Sequence, residues 1–373
     1  MQKVATRLPL VVLLLALAAC SSGGHTTLAV PDAGNAAPVG GNGSGSTAST
    51  ANLTPLTQKE YSFPFTFAQL GAAPDGKIWG TAGGGTAALL NPAVGVSQYN
   101  AIAPTQPSNS WVYSFTVGKD GSLWYTLAAD CNSYSGFLNS LSESGGLPVT
   151  YLAAGTHCYY LHFVAIGSDG NVWVTGNDES NNGNGVILKF VPGIIGAPAA
   201  VYPVPFTPGP ITAGPDGALW FIDFYLGVVT SGHLDRIDTG GNVTQIADVS
   251  NEGFFNIVSG GGYLWVDGKI PSGYAIARFS TSGAETDYPV KGALLGTGWG
   301  IAATDSYVYF PQANTGNANG AIGQLNMKTG VIANYTPAGC SSFNPFGITI
   351  DPSGNVWASD ASIPVVWEMT FPH

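Results

Sequence analysis

Ile211-Thr212-Ala213-Gly214-Pro215-Asp216-Gly217-Ala218-Leu219-Trp220-Phe221 is one copy of a phrase that recurs along the chain. Ala73-Pro74-Asp75-Gly76-Lys77-Ile78-Trp79, Gly118-Lys119-Asp120-Gly121-Ser122-Leu123-Trp124, Gly167-Ser168-Asp169-Gly170-Asn171-Val172-Trp173 and Asp351-Pro352-Ser353-Gly354-Asn355-Val356-Trp357 are others. Degenerate copies end at Trp265 and Tyr309. The aromatic positions 79, 124, 173, 220, 265, 309 and 357 are 45, 49, 47, 45, 44 and 48 residues apart, which makes seven units. Self-similarity at this period marks a repeat architecture.

Within a unit, the residues before the Asp-Gly pair form a strand, the pair makes a tight turn, and Ala218-Leu219-Trp220-Phe221-Ile222 returns as a second strand. His233-Leu234-Asp235-Arg236-Ile237 reads as a third strand, Gly240 to Asn242 as a turn and Val243 to Ala247 as a fourth. Four short antiparallel strands per unit predict an all-β chain, a seven-bladed β-propeller of four-stranded antiparallel blades. Around and beyond Trp357 only two strands remain, Val356 to Ala358 and Val365 to Phe371, so the last blade lacks its outer strand. Lys59-Glu60-Tyr61-Ser62-Phe63-Pro64 resembles the outer strands Val201 to Val204 and Asp287 to Val290. This N-terminal strand is expected to pair with the last blade and close the ring, which removes edges that would template aggregation. One Trp per blade at a fixed strand position reads as packing between sheets rather than a sugar-stacking platform. The repeated Asp reads as a turn residue rather than a metal ligand.

Upstream of the repeats the organisation changes twice. Residues 1–19 carry Lys3 and Arg7, then a run from Leu8 to Ala19 that is apolar apart from Pro9, the layout of a secretory signal. That run is too short to span a bilayer, and it ends in Leu17-Ala18-Ala19-Cys20, which resembles a bacterial lipobox. Cleavage and acylation at Cys20 are expected to anchor the chain to the bacterial envelope. Ser21, rather than an aspartate, follows the cysteine, and this directs it to the outer membrane if the cell has two membranes. Residues 20–57 are almost entirely Gly, Ser, Ala, Thr, Asn and Pro, too polar to form a core. A coil of about 37 residues reaches roughly 35 Å, enough to hold residues 58–373, the propeller, clear of the bilayer.

Charge and cysteines narrow the classes further. Charged residues make up 9% of the chain and the formal charge is −11, becoming −13 when Lys3 and Arg7 leave with the signal. No basic footprint for nucleic acid exists, and a monomer is expected. Beyond the signal and its cysteine lie Cys131, Cys158 and Cys340, an odd number with no zinc-like spacing. Cys131 and Cys158 fall in loops of adjacent blades on one face and are expected to pair; Cys340 is expected to lack a partner.

The phrase Ile211 to Phe221, with Arg236-Ile237 and the turn-plus-strand that follows, resembles the repeat of the streptogramin (virginiamycin B) lyase family, over positions 60 to 371. The resemblance implies a propeller and, for the family's enzymes, magnesium-assisted opening of a cyclic depsipeptide by elimination at its ester bond. Such chemistry needs a base for the proton α to the carbonyl and a cation for the developing charge. The family repeat carries a glutamate three residues after the Trp, used with histidines near the channel mouth. The same offset here holds Ala82, Leu127, Gly176, Asp223, Gly268, Gln312 and Asp360, and the places two beyond the acidic pair hold Tyr225 and Ser362, so no carboxylate-x-His pair occurs.

Two functions are therefore carried forward. The first is a non-catalytic envelope lipoprotein that binds a peptide, glycan or protein ligand on the face where strand-two-to-three loops and blade connections meet. Asp178, Glu179 and Tyr225 are its candidate ligand-facing residues. The second is a metal-assisted C–O lyase of streptogramin or lactone type, with His162 as base and Asp223, Asp267 and Asp360 holding Mg or Ca. His233 reads as part of a surface ion pair with Asp235 and Arg236.

Overall fold

The computed structural model describes residues 53–82, 85–101, 111–128, 136–151, 158–224, 231–290, 300–312 and 319–373. They form seven four-stranded antiparallel sheets, with one short 3-10 turn at Glu179–Asn181. The strands of blade four, Thr207–Ala213, Leu219–Phe224, Ser231–Ile237 and Val243–Asp248, run in simple order from channel to rim, and five of the other blades repeat the arrangement. No helix of the described residues is long and apolar enough to cross a membrane.

The repeated phrase folds as a unit with three interlocking requirements. Gly217 takes φ +80°, the left-handed turn geometry that other residues adopt at a cost. At Gly214 an added Cβ would sit 2.1 Å from Trp220 Cδ1, so only glycine lets the indole lie over the turn. Asp216 Oδ1 accepts the Trp220 indole N–H at 2.8 Å, while its Oδ2 pairs with Arg236 Nε at 2.6 Å. Asp169 holds Trp173 the same way at 3.2 Å, while in blade seven, where Ser353 stands at the turn-aspartate place, Asp351 two residues earlier accepts the Trp357 N–H at 2.9 Å. The turn aspartate thus also satisfies a buried donor that would otherwise be costly. Arg236 pairs with Asp216, and His233 with Asp223, rather than either with Asp235, which corrects the expected surface grouping.

Each indole packs toward the following blade. Trp220 shares an apolar cluster with Phe254, Leu264 and Val266 of blade five, and Trp173 shares one with Leu219 and Phe221 of blade four. Trp357 of the last blade joins Tyr61, Phe67 and Ile78, which carries the pattern across the seam into blade one. Closure occurs as expected: Thr57–Ser62 pairs with Val365–Thr370 from Thr57↔Thr370 to Ser62↔Val365 and is the outer strand of blade seven. A second tie lies just upstream, where Leu53 bridges Tyr335 on the outer strand of blade six.

Replacing Asp216 by Ala leaves the Trp220 N–H buried without its acceptor, and urea unfolding should register a loss of about 1–3 kcal/mol. A loss under about 0.5 kcal/mol would show that the aspartate serves the turn alone. Deleting residues 57–62 exposes the Val365–Thr370 edge; sedimentation velocity should then find self-association, and a monodisperse monomer would contradict the closing role.

Candidate functional site

The first strand of every blade faces the axis, and together they enclose a channel of about 560 Å³. Its wall repeats with the blades: Ile211-Thr212-Ala213, Ile257-Val258-Ser259 and Ile348-Thr349-Ile350 occupy equivalent places. β-branched and small side chains fit a site where seven strands converge. No residue of this wall is titratable; its polar groups are hydroxyls and the amides of Gln69 and Asn256.

His162 lies on the first strand of blade three, Tyr159–Ile166, just before the wall residues Phe163 to Ile166. It is 8% exposed, stacks on Tyr113 of blade two with ring centroids 5.2 Å apart, and meets Tyr160 edge-on at 5.3 Å. Its Nδ1 lies 3.5 Å from the Pro208 carbonyl of blade four. Burial, opposed only by that carbonyl, pushes its pKa down to about 4, so the ring is neutral at pH 7. It bridges three blades rather than forming part of the channel wall.

The three proposed metal carboxylates are each engaged within their own blade. Asp267 accepts both bonds of the Asn256 amide, at 3.0 and 3.2 Å, and burial lifts its pKa to about 7 despite that bond. Asp360 accepts the backbone N–H groups of Ser362 at 2.8 Å and Asn344 at 3.3 Å, and burial raises it to about 6. Asp223 accepts the His233 backbone N–H through Oδ1, and its Oδ2 lies 2.9 Å from His233 Nδ1.

That last pair belongs to a cluster the sequence reading passed over. Asp223, His233 and Asp235 bring ligand-type atoms within 4.8 Å of one another, the only such acidic or histidine trio among the described residues. The hairpin joining Leu219–Phe224 to Ser231–Ile237 assembles it: pairing runs Trp220↔Arg236, Phe221↔Asp235, Ile222↔Leu234, and one step further sets Asp223 beside His233. Gly232 makes room, since a Cβ there would lie 2.3 Å from Asp223 Oδ1. Burial and then the Asp223 charge push Asp235 up to about 7. Burial pulls the His233 imidazole down, but the Asp223 bond and charge outweigh it and hold the ring above its ordinary value. The signal was present: a search for Asp-x-His along one strand misses a pair that faces across a hairpin.

Asp178 ends its strand and caps the 3-10 turn by accepting the Ser180 N–H at 3.0 Å; Glu179 beside it is exposed. Both sit on the loop face. Tyr225, Cys131 and Cys20 lie outside the described residues. Cys158 and Cys340 are both disulfide-bonded, and no described cysteine is free. The expectation of an unpartnered Cys340 is therefore corrected: an odd count bounds how many thiols pair without saying which.

The depressed His162 value carries a stability consequence. Between pH 6.5, its ordinary value, and about 4, the unfolded chain binds a proton that the folded chain refuses, so stability falls as pH drops through this window. His162→Gln should flatten that part of a plot of unfolding midpoint against pH; an unchanged slope would show that His162 is not the group responsible.

No curated protein matches the sequence. Selenomethionine-substituted virginiamycin B lyase from Staphylococcus aureus superposes with a TM-score of 0.63 at 21% identity, over 85% of this chain and 99% of that one. A catalytically inactive form of virginiamycin B lyase from Staphylococcus aureus, with quinupristin, gives 0.63 at 20%, over 85% and 99%. A chain of a mitotic checkpoint complex gives 0.60 at 11%, over 90% and 100%, so overall shape alone does not distinguish activities. The virginiamycin B lyase family model matches residues 101–362, more than two thirds of the 373 residues, and the chain belongs to that family.

Proposed function

We propose that this chain is an envelope lipoprotein, held through Cys20, whose propeller binds a peptide, glycan or protein ligand at the loop face and channel mouth without opening it chemically. The observation that supports this reading most is the channel wall, in which no described residue can give or take a proton near neutral pH. Such a wall suits an apolar or hydroxyl-rich ligand held by shape and a few amides. Asp178 and Glu179 at the rim would add polar contacts. The anchor and tether, read from residues 1–57, would present that mouth away from the membrane.

A second reading, ring opening of a cyclic depsipeptide, is favoured by family membership. The magnesium that such a reaction calls for does not fit Asp223, Asp267 and Asp360 as a shared set. Each carboxylate is turned into hydrogen bonds of its own blade, with His233, Asn256 or the backbone of Asn344 and Ser362. A hard, hydrated ion seeks several oxygens converging on one point.

Full-length protein incubated with quinupristin and magnesium, and followed by mass spectrometry with chromatography, should leave the antibiotic intact. A linear isomer of unchanged mass would overturn the binding-only reading. Arrays of peptides and glycans probed with the same protein should retain at least one class, and Ala302→Trp, which fills the channel, should weaken that retention. Failure of every class to bind at high concentration would also count against the proposal.

A further inference from the structure

We infer that Asp223, His233 and Asp235 form a binding site for one divalent cation of the zinc class on the face of blade four turned toward blade three. The inference stands apart from the ligand-binding reading and uses none of its residues.

Asp235 is the decisive group. It is 0% exposed, and neither carboxylate oxygen has a hydrogen-bond partner among the described residues. Phe221 and Ile237, its neighbours on the same face of the hairpin, belong to the apolar cluster shared with blade three. A carboxylate placed there without a donor is expensive unless something compensates it. The nearest acidic group, Asp223, is itself buried at 1% exposure and adds repulsion. Two carboxylates face a single imidazole, and a dication supplies the charge that this arrangement lacks.

The geometry is also prepared for coordination. Ligand atoms within 4.8 Å of one another can surround an ion that forms bonds of about 2.0–2.2 Å after small side-chain rotations. The His233 backbone N–H holds Asp223 Oδ1, which aims Oδ2 at Nδ1, the kind of supporting bond that orients metal ligands. One nitrogen and two carboxylates suit zinc better than calcium or magnesium, which take mostly oxygen donors. The His233 side chain keeps 19% exposure, so an ion can enter past it from solvent. To ligate through Nδ1 the ring must carry its proton on Nε2.

The test is calorimetric titration of chelator-treated full-length protein with zinc chloride. The wild type should bind zinc, and Asp235→Asn and His233→Ala should each lose one equivalent or bind it roughly tenfold or more weakly. Asp235→Leu guards against misfolded variants: it removes the buried charge, should keep the near-UV spectrum, and should lose the zinc-induced rise in melting temperature that the wild type shows. Absence of zinc binding by the wild type, unchanged stoichiometry and affinity in Asp235→Asn, an undiminished melting shift in Asp235→Leu, or equal affinity for calcium would each overturn the inference.

Discussion

One large aromatic ring per blade, an indole in six of the seven and the Tyr309 phenol in blade six, holds this molecule together. Trp79, Trp173, Trp220, Trp265 and Trp357 are each 0% exposed, and each lies in the apolar cluster it shares with the next blade. A side chain this large contributes much of the apolar area buried between neighbours, but its N–H must be satisfied within the same interface. Two blades use the turn aspartate, Asp169 and Asp216; blade seven uses Asp351, two places earlier in its phrase; Trp265 uses the Gly260 carbonyl, and Trp79 uses Gly121 O of the adjacent blade. Where the phrase degenerates, then, the donor still finds an acceptor. The repeated sequence is conserved along the chain because each copy solves the same problem of a buried donor beside a tight turn.

That solution shapes what the rest of the surface can do. Seven first strands meeting at the axis are lined mostly by small and β-branched side chains, with Phe115, Phe163 and the amides of Gln69 and Asn256 among them, and the channel wall carries no charge. The titratable groups His162, Asp223 and His233 lie outside that wall, where register shifts break the regular pairing. His162 follows one such shift between Leu161 and Val164, and the Asp223–His233 pair sits at another, between Ile222 and Phe224. In both cases a local irregularity turns a side chain out of the repeating pattern, as bulges near functional sites often do.

The fold was legible in the sequence because it is written seven times: spacing, turn residues and aromatic positions agree, and even the missing outer strand of blade seven could be counted. The candidate site was less legible because it is written once. His233 and Asp235 sit in an ordinary third strand, and only the pairing across a hairpin reveals that they face Asp223. The same holds for Asp267, whose partner Asn256 lies on the preceding strand, and for Asp360, which accepts the backbone N–H groups of Ser362 and Asn344. Linear offsets report on one strand; chemistry in a sheet is assembled between strands.

The closing strand Thr57–Ser62 has a temporal consequence. Its partner Val365–Thr370 is made some 300 residues later, and synthesis proceeds from the N-terminus. The first strand of the propeller must therefore wait, unpaired, while nearly the whole ring is built, and then search back to the last blade at the entropic cost of closing a very long loop. Its composition fits that wait: Thr57, Gln58, Lys59, Glu60 and Ser62 are soluble, and only Tyr61 is buried once docked. A segment that must be early in the chain yet late in assembly is kept from premature partners by its polarity.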